Sequence, residues 1–390
     1  MMDSVTLENK YMSVIKTCAI LTSIWPEQSH CSKICIQVYT YLSFIACAGS
    51  MIARVYILFS IDVMLEQLSY FGAACVMMLK YGLYTVRSRE YKMFLDCIRR
   101  DFSTKRPQAE FDILEKYAGR GVFYTQFYLF NCYCCYALFI QTPLTPRILD
   151  IFMPKNESRE LGYVYPAYFA LDEEKYYIPI TIHMILVIAM VFYVYVACDT
   201  SYAYFVQHGC GLLAVAGHRF KAAVAEPESF YEKEYLHDRQ YKKIRLAIEG
   251  HQYALEYLRT LQEAHVEYLF ILIGFVMMAF SVTLVKISNM EVGPEFFKDC
   301  TFLLIQLMHI FYMSMQGQCV VDSVNEFSDT IYEAEWYESD KKVQSLFVLT
   351  LRSCLSPPKL TAGGLIVLNL QSFSEILKTS VSYFTVLQST

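Results

Sequence analysis

Side chains able to do catalytic or metal chemistry are sparse in this sequence. Cys132, Cys134 and Cys135 have a spacing that resembles metal ligands, but cysteines this close on one helix do not converge as tetrahedral ligands must. His183 and His309 stand alone, without neighbouring titratable residues in the sequence. No GxSxG, HExxH or glycine-rich phosphate loop occurs, and catalysis needs convergent titratable groups. We therefore expect neither an enzyme nor a bound metal or cofactor.

A polar stripe runs along the last apolar segment. Its members recur at spacings of three or four and therefore share one helical face: Ser372, Glu375, Thr379, Ser382, Val386 and Thr390. The other side is richer in large apolar residues: Ile376, Leu377, Phe384 and Leu387. Polar groups facing lipid are unfavourable, so the stripe should face water or protein. It indicates a pore lining or, alternatively, helix packing; Glu375 could attract cations, although Lys378 lies one turn away.

The rest of the chain has the composition of a membrane protein. Of its 390 residues, 55% are hydrophobic and 18% charged, against about 25% charged in soluble domains. Five uncharged stretches are long enough, or nearly so, to cross a bilayer: Ile34–Ala53, Gly121–Pro146, Tyr176–Cys198, Tyr268–Val285 and Cys300–Val321. Two weaker stretches, Gln67–Val86 with Lys80 inside it and Leu360–Thr390, complete a prediction of seven spans.

Charge asymmetry predicts the orientation of these spans. With the N-terminus in the cytoplasm, the inside segments hold 24 of the 33 Lys and Arg residues and the outside loops hold 7. The glycosylation sequon at Asn156 then lies outside, as it must. Residues 1–33 lack the pattern of a signal peptide. Seven spans place the C-terminus outside, which is the reverse of a G-protein-coupled receptor.

The fold predicted is an all-α membrane protein whose later helices continue into the cytoplasm. Ile244–Glu267 has apolar residues at helical spacing, and a looser pattern passes through Trp336, Tyr337 and Phe347. The predicted organisation is residues 1–33 as a cytoplasmic segment, 34–321 as helices one to six, 322–359 as a cytoplasmic anchor helix and 360–390 as the seventh helix.

The C-terminal third carries a specific set of motifs. Pro358-Lys359-Leu360-Thr361-Ala362-Gly363 is followed by Ser372-Phe373, Ile376-Leu377-Lys378-Thr379-Ser380 and Ser382-Tyr383-Phe384-Thr385-Val386-Leu387, with Trp336-Tyr337 upstream. This pattern resembles the insect odorant receptors in their tuning-subunit form. The family's co-receptor has a longer second cytoplasmic loop, and the related gustatory receptors end in a different motif.

The resemblance implies a ligand-gated cation channel of the plasma membrane of olfactory neurons. A tuning subunit joins the odorant receptor co-receptor in a hetero-tetramer, in which each last helix lines the pore and the cytoplasmic helices form the anchor between subunits. Trp336, Tyr337 and Phe347 would belong to that anchor. Val386 corresponds to an apolar constriction that can close a pore by dewetting. The partners implied are a small volatile odorant, the co-receptor and the bilayer, with no nucleic acid.

The resemblance also implies a ligand pocket in the outer halves of spans two, three, four and six. Depth alone points to Tyr70, Phe71, Ala74, Tyr133, Tyr136, Ile140, Ile180, His183, Met184, Phe297, Thr301 and Leu304. Apolar and aromatic walls suit small volatile molecules. Ordinary packing between helices explains any one of these residues equally well.

Three other classes remain as alternatives. A metabotropic receptor would have the opposite terminal topology, and a gustatory-type chemoreceptor would carry the other C-terminal motif. A transporter would show inverted repeats and broken helices in mid-membrane, and the sequence shows neither.

Overall fold

The computed structural model describes residues 2–153, 162–225 and 233–389, so the predicted glycosylation site Asn156 and the terminal Thr390 lie outside the described residues. The protein is built almost wholly of helices, which confirms the all-α prediction. In chain order the helices are α1 Ser4–Tyr11, α2 Ser13–Leu21, α3 His30–Ile57, α4 Ile61–Val86, α5 Ser88–Ser103, α6 Gln108–Gln141, α7 Thr145–Phe152, α8 Glu173–Val224, α9 Lys233–Ser288, α10 Pro294–Tyr332, α11 Lys341–Cys354 and α12 Leu370–Ser389.

Five of the seven predicted spans lie inside helices that are longer than a membrane is thick, namely α3, α4, α8, α9 and α10. Among the described residues, α3, α8, α9 and α10 are each long and apolar enough to cross a bilayer. α8 has 52 residues and α9 has 56. At 1.5 Å per residue each is about 80 Å long, whereas the hydrocarbon core is roughly 30 Å thick. Both helices are therefore much longer than a membrane is thick, and for α9 this agrees with the helical spacing in Ile244–Glu267.

The third predicted span ends earlier than expected. It was placed up to Pro146, but α6 ends at Gln141 and a turn leads into α7 at Thr145. Pro143 lies in that turn. Because proline has no backbone N–H to donate and its ring clashes with the carbonyl four residues earlier, the regular helix ends before it. The span was predicted from the absence of charged residues, and that absence does not show where the helix ends.

The N-terminal segment folds as two short helices, of which α1 packs against α5 and α2 packs against α8. Arg99 on α5 lies between two carboxylates, with its Nε donating to Glu8 at 2.8 Å and its Nη2 donating to Glu27 at 2.9 Å. Leu7 on α1 and Ile15 on α2 are fully buried. Residues 1–33 are therefore packed onto the helical bundle along much of their length.

The C-terminal ends of α8 and α10 and the N-terminal part of α9 pack together with α11. Phe347 is fully buried there, and Trp336 stacks on it with the ring centroids 6.1 Å apart. Tyr337 keeps 62% of its surface exposed. The ring of His251 stacks on Phe327 at 4.3 Å, and burial lowers the pKa of His251 to about 4, so the ring is neutral. Of the three predicted anchor residues, two hold this chain's own helices together and Tyr337 lies on the surface.

The segment predicted to begin the last span is not helical. α12 begins at Leu370, ten residues after the predicted boundary at residue 360. Before it, Thr361–Ala362 pairs with Ile366–Val367 in an antiparallel hairpin. Gly363 and Gly364 have φ values of +62° and +70° in its turn. Glycine adopts this left-handed region without the strain that a side chain brings, which explains the two glycines.

This hairpin is held between α9 and α10. The side-chain amide of Gln262 donates to the carbonyl of Thr361 at 2.9 Å and accepts from its backbone N–H at 2.7 Å. The N–H of Gly363 donates to a backbone carbonyl of α9 at 2.9 Å. On α10, a Cβ added at Gly317 would lie 2.0 Å from the carbonyl oxygen of Leu368. The chain between α11 and α12 is therefore fixed against both neighbouring helices.

Candidate functional site

A cavity of about 190 Å³ lies within the helical bundle, surrounded by α3, α4, α6, α8, α9 and α10. No Lys, Arg, Asp or Glu side chain is among the described residues that line it. Its walls are mostly aromatic and aliphatic, and the aromatic residues include Tyr70, Tyr128, Tyr136, Phe139, Tyr195 and Phe302. Such walls bind apolar molecules through shape and dispersion contacts, with orientation set by the few polar groups.

Aromatic contacts between different helices build the outer wall. Tyr70 on α4 stacks on Phe302 of α10 with centroids 5.3 Å apart, and Phe139 of α6 meets Tyr70 edge-on at 6.4 Å. The hydroxyl of Tyr70 donates to Asp299 at 3.3 Å. These contacts fix the Tyr70 ring from three sides, so this wall is preorganised.

The structure brings three of the twelve predicted ligand residues into this cavity: Tyr70, Ala74 and Tyr136. Three others point out of the bundle and are more than half exposed: Tyr133, Phe297 and Leu304. Ile180 and Met184 are buried in an adjacent core. The remaining four are half-buried and do not line the cavity: Phe71, Ile140, His183 and Thr301. All twelve residues have a suitable depth along their spans, but depth does not fix the rotation of a helix about its axis.

A cluster of buried polar side chains closes the cavity at its inner end. Lys80 on α4 pairs with Asp199 on α8, and Tyr128 on α6 donates to the other oxygen of that carboxylate. The Nε2 of His309 lies 3.2 Å from the Lys80 ammonium, and its Nδ1 lies 3.2 Å from the Tyr128 oxygen. Because the ammonium can only donate, Nε2 accepts and Nδ1 carries the ring proton.

This cluster joins α4, α6, α8 and α10 through polar and ionisable side chains, which are unfavourable inside a membrane unless they have partners. The Lys80 side chain is fully buried and that of Asp199 is 2% exposed. The Lys80 ammonium also lies 4.4 Å from the ring centroid of Tyr195, which lines the cavity. The sequence alone indicated that Lys80 interrupts an apolar span and that His309 has no titratable residue near it in the sequence. The usable signal was the presence of ionisable residues inside apolar segments, since such residues require a partner.

The last helix presents most of its polar stripe away from the rest of the chain. Glu375, Thr379, Ser382 and Val386 are exposed on α12. Ser372, predicted on the same stripe, is only 8% exposed, because it lies on the side that packs against the bundle. That inward side carries Ile376 and Ser380, while Leu377 and Phe384 are half-buried and Leu387 is 43% exposed.

The cysteine cluster shows no metal-binding arrangement. Within the described residues, no group of three or more His, Cys, Asp or Glu side chains is placed to hold a metal ion. Cys134 faces outwards, while Cys132 and Cys135 line the cavity.

Comparisons with known proteins place this architecture among chemoreceptors. A family model described as 7tm Odorant receptor matches residues 60–381. Odorant receptor 13a of Drosophila melanogaster is 23% identical over 273 residues, and the match covers 65% of this chain and 63% of that protein. Odorant receptor 22a of the same species is 26% identical over 160 residues, or 38% of its length. The chain thus matches less than two thirds of either relative.

The fold agrees with a solved structure over nearly its whole length. The insect olfactory receptor OR5 from Machilis hrabei, in complex with eugenol, superposes with a TM-score of 0.77 at 13% identity. The superposition covers 98% of this chain and 99% of that chain. At this identity, the likeness establishes the fold alone.

Proposed function

This chain belongs to the insect 7tm odorant receptor family, and on that premise we propose that it is the odorant-binding subunit of an odorant-gated cation channel. As a member of that family it is a multi-pass protein of the plasma membrane of olfactory neurons. The observation that carries the proposal is the uncharged aromatic cavity between α4, α6, α8 and α10. Its walls are apolar and aromatic, as a site for small apolar ligands requires.

The ligand proposed is a small volatile organic molecule. A cavity of about 150 Å³ with aliphatic and aromatic walls is large enough to bind benzene, and this one measures about 190 Å³. Tyr70, Ala74 and Tyr136 are proposed to contact the odorant, together with Phe139 and Phe302. The complex of the Machilis receptor with eugenol, itself a small molecule, supports this class of ligand.

The pore is proposed to form where the α12 helices of four subunits meet. Glu375, Thr379, Ser382 and Val386 are exposed on the side of α12 that this chain leaves uncovered. An intramembrane face with a carboxylate and hydroxyls is unfavourable against lipid, which supports contact with water and other subunits. The proposed assembly is a hetero-tetramer with the odorant receptor co-receptor, in which Val386 forms part of an apolar constriction.

The orientation proposed has the N-terminus in the cytoplasm and the C-terminus outside. It is supported by the 24 basic residues in the proposed inside segments against 7 in the outside loops. It also places in the cytoplasm the buried cluster around Phe347, where α8, α9 and α10 pack with α11. Epitope tags stained before and after permeabilisation check it: a C-terminal tag visible only after permeabilisation would reverse the orientation.

The experiment that tests this function is a panel of volatile odorants applied to cells that express the chain with or without the co-receptor. At least one odorant should evoke cation current only when both proteins are present. A panel that evokes no current from heteromers at the cell surface would remove the proposal. Responses that need a G protein would instead favour a metabotropic receptor.

A further inference from the structure

Most polar groups that line the cavity have partners within the chain. The hydroxyl of Tyr70 donates to Asp299 at 3.3 Å, and that of Tyr195 donates to a backbone carbonyl of α4 at 3.2 Å. Lys80 and Asp199 pair with each other and lie behind the wall. A ligand therefore meets no unsatisfied charge among the described lining residues, so the site favours neutral molecules.

Gln306 on α10 is different, because one end of its amide is unused. Its nitrogen lies 3.4 Å from the Oγ1 of Thr283 on α9. That hydroxyl donates its own proton to the carbonyl of Ala279 at 2.7 Å, so towards Gln306 it can only accept. The amide is thereby oriented with its nitrogen on Thr283. Its Oε1 is buried and has no hydrogen-bond partner among the described residues.

Gln306 is among the residues that line the cavity, and its Oε1 is buried, so water at the protein surface does not satisfy this oxygen. A buried acceptor without a partner is unfavourable, and a ligand that supplies a donor removes that penalty. A site with such a polar group discriminates strongly between a ligand that carries the matching group and an analogue that lacks it. Gln306 is therefore placed to decide which of two equally sized odorants binds.

We propose that this cavity selects neutral, ring-bearing odorants with a hydroxyl group, and that Gln306 accepts the hydrogen bond from that hydroxyl. This inference rests on the proposed function and names the ligand class of the same site. The aromatic walls match a single ring, and the volume of about 190 Å³ accommodates one ring with small substituents. Charged odorants and large flexible ones fit neither the wall chemistry nor the space.

Tyr312 supplies a competing explanation within the same cavity. Its hydroxyl also has no hydrogen-bond partner among the described residues, and its ring lies 4.4 Å from that of Tyr128. The hydroxyl of Tyr165, another lining residue, has the same status. A phenolic hydroxyl can donate as well as accept, so it would serve a carbonyl or an ether as well as an alcohol. Gln306 Oε1 can only accept, so it requires a donor. The two residues therefore predict different selectivity.

The test compares pairs of odorants in which a methyl group replaces the hydroxyl at nearly constant size. The probes are 4-ethylphenol against 4-ethyltoluene and 2-phenylethanol against propylbenzene, applied to the channel formed with the co-receptor. Half-maximal concentrations give a hydrocarbon-to-hydroxyl ratio for each pair. Gln306→Met should lower that ratio by about tenfold, since one hydrogen bond in a desolvated site is worth roughly that factor. The ratio cancels differences in expression between variants.

Each outcome decides between the explanations. An unchanged ratio in Gln306→Met, with the protein at the cell surface, overturns the proposal. A ratio lost in Tyr312→Phe or in Tyr165→Phe but kept in Gln306→Met also overturns it. Gln306→Asn, which withdraws the oxygen by one methylene, should lower the ratio in the same direction and serves if the Met variant does not reach the surface. An unmodified channel that responds only to odorants without a donor also overturns it, while leaving the proposed function intact. Silence to every odorant would remove the proposed function itself.

Discussion

The ammonium group of Lys80 and the carboxylate of Asp199 form an ion pair in the centre of the bundle, although the two residues are 119 positions apart in the sequence. Neither side chain is more than 2% exposed. A lone charge in this position would have no compensation, since neither lipid nor the apolar cavity can solvate it. The pair therefore makes the relative position of α4 and α8 a condition for folding, and His309 and Tyr128 extend that condition to α10 and α6.

Replacing Lys80 with Met should destabilise the protein strongly. Removing one partner of a buried pair leaves the other charge uncompensated, which costs about 3–5 kcal/mol. Surface biotinylation and thermal unfolding of the detergent-solubilised heteromer measure the effect. The control is Arg245→Gln, because the Arg245–Glu249 pair is largely exposed and contributes little.

The double variant Lys80→Met, Asp199→Leu should recover part of the lost stability, because an apolar replacement of both charges leaves neither one buried alone. If Lys80→Met alone unfolds at the temperature of the unmodified protein, the two charges are not paired in the folded state.

Filling the cavity should weaken odorant responses without affecting assembly. Ala74 lines the cavity, and Ala74→Leu adds three carbon atoms to its wall. The half-maximal odorant concentration should rise by roughly tenfold or more, since overpacking a fixed wall costs about 1–3 kcal/mol. The measurement is a dose–response series in cells with matched surface expression.

Ala137→Leu is the matched control for this variant, because Ala137 lies on the exposed side of α6 and outside the cavity. Equal shifts in both variants would mean that the cavity is not the odorant site.

Gly317 should tolerate no side chain. A Cβ there would lie 2.0 Å from the Leu368 carbonyl oxygen, which is backbone and cannot rotate away. Gly317→Ala should displace the hairpin that leads into α12 and reduce surface expression or odorant-evoked current. Gly274→Ala provides the comparison, because nothing lies within 4 Å of its added Cβ. In a helix that change is neutral or favourable by up to about 1 kcal/mol. Identical behaviour of the two variants would contradict the described packing of Leu368.

Val386→Thr should raise resting current or alter ion selectivity while odorant preference stays unchanged. A polar side chain of similar size lowers the cost of wetting an apolar constriction. The effect should be partial, because only the subunits of this type carry the change. Phe384 is half-buried against the bundle, so Phe384→Leu should instead reduce expression or stability. Whole-cell recordings in which Val386→Thr reaches the surface with resting current, selectivity and block untouched would refute the pore assignment.

The sequence predicted the helices well because each span is a local property of composition. The stretch Tyr176–Cys198 lies inside α8, and Tyr268–Val285 lies inside α9. The hairpin at Thr361–Ala362 escaped prediction, because its conformation depends on Gln262 and Gly317, which lie far away in the sequence. The last span was predicted to begin at residue 360, where an apolar segment follows Pro358, but α12 begins only at Leu370.

The cavity was only partly predictable for a related reason. Tyr70 and Ala74 lie one helical turn apart on the same face of α4, and both line the cavity. Leu304 has a suitable depth but faces outwards, since a rotation of α10 by one residue moves a side chain through 100°. Lys80 carried a usable signal, but its partner Asp199 could be assigned only from the packing of α4 against α8.

The central claim is that odorant binding in this chain opens an ion channel directly. Its most direct test is recording from excised membrane patches that contain the chain and the co-receptor, with GTP absent and a G-protein inhibitor on the cytoplasmic face. An odorant that activates intact cells should still open cation-conducting channels in these patches within its normal concentration range. Loss of the response in the patches, with channels still present and openable by a co-receptor agonist, would contradict the claim and indicate a metabotropic receptor.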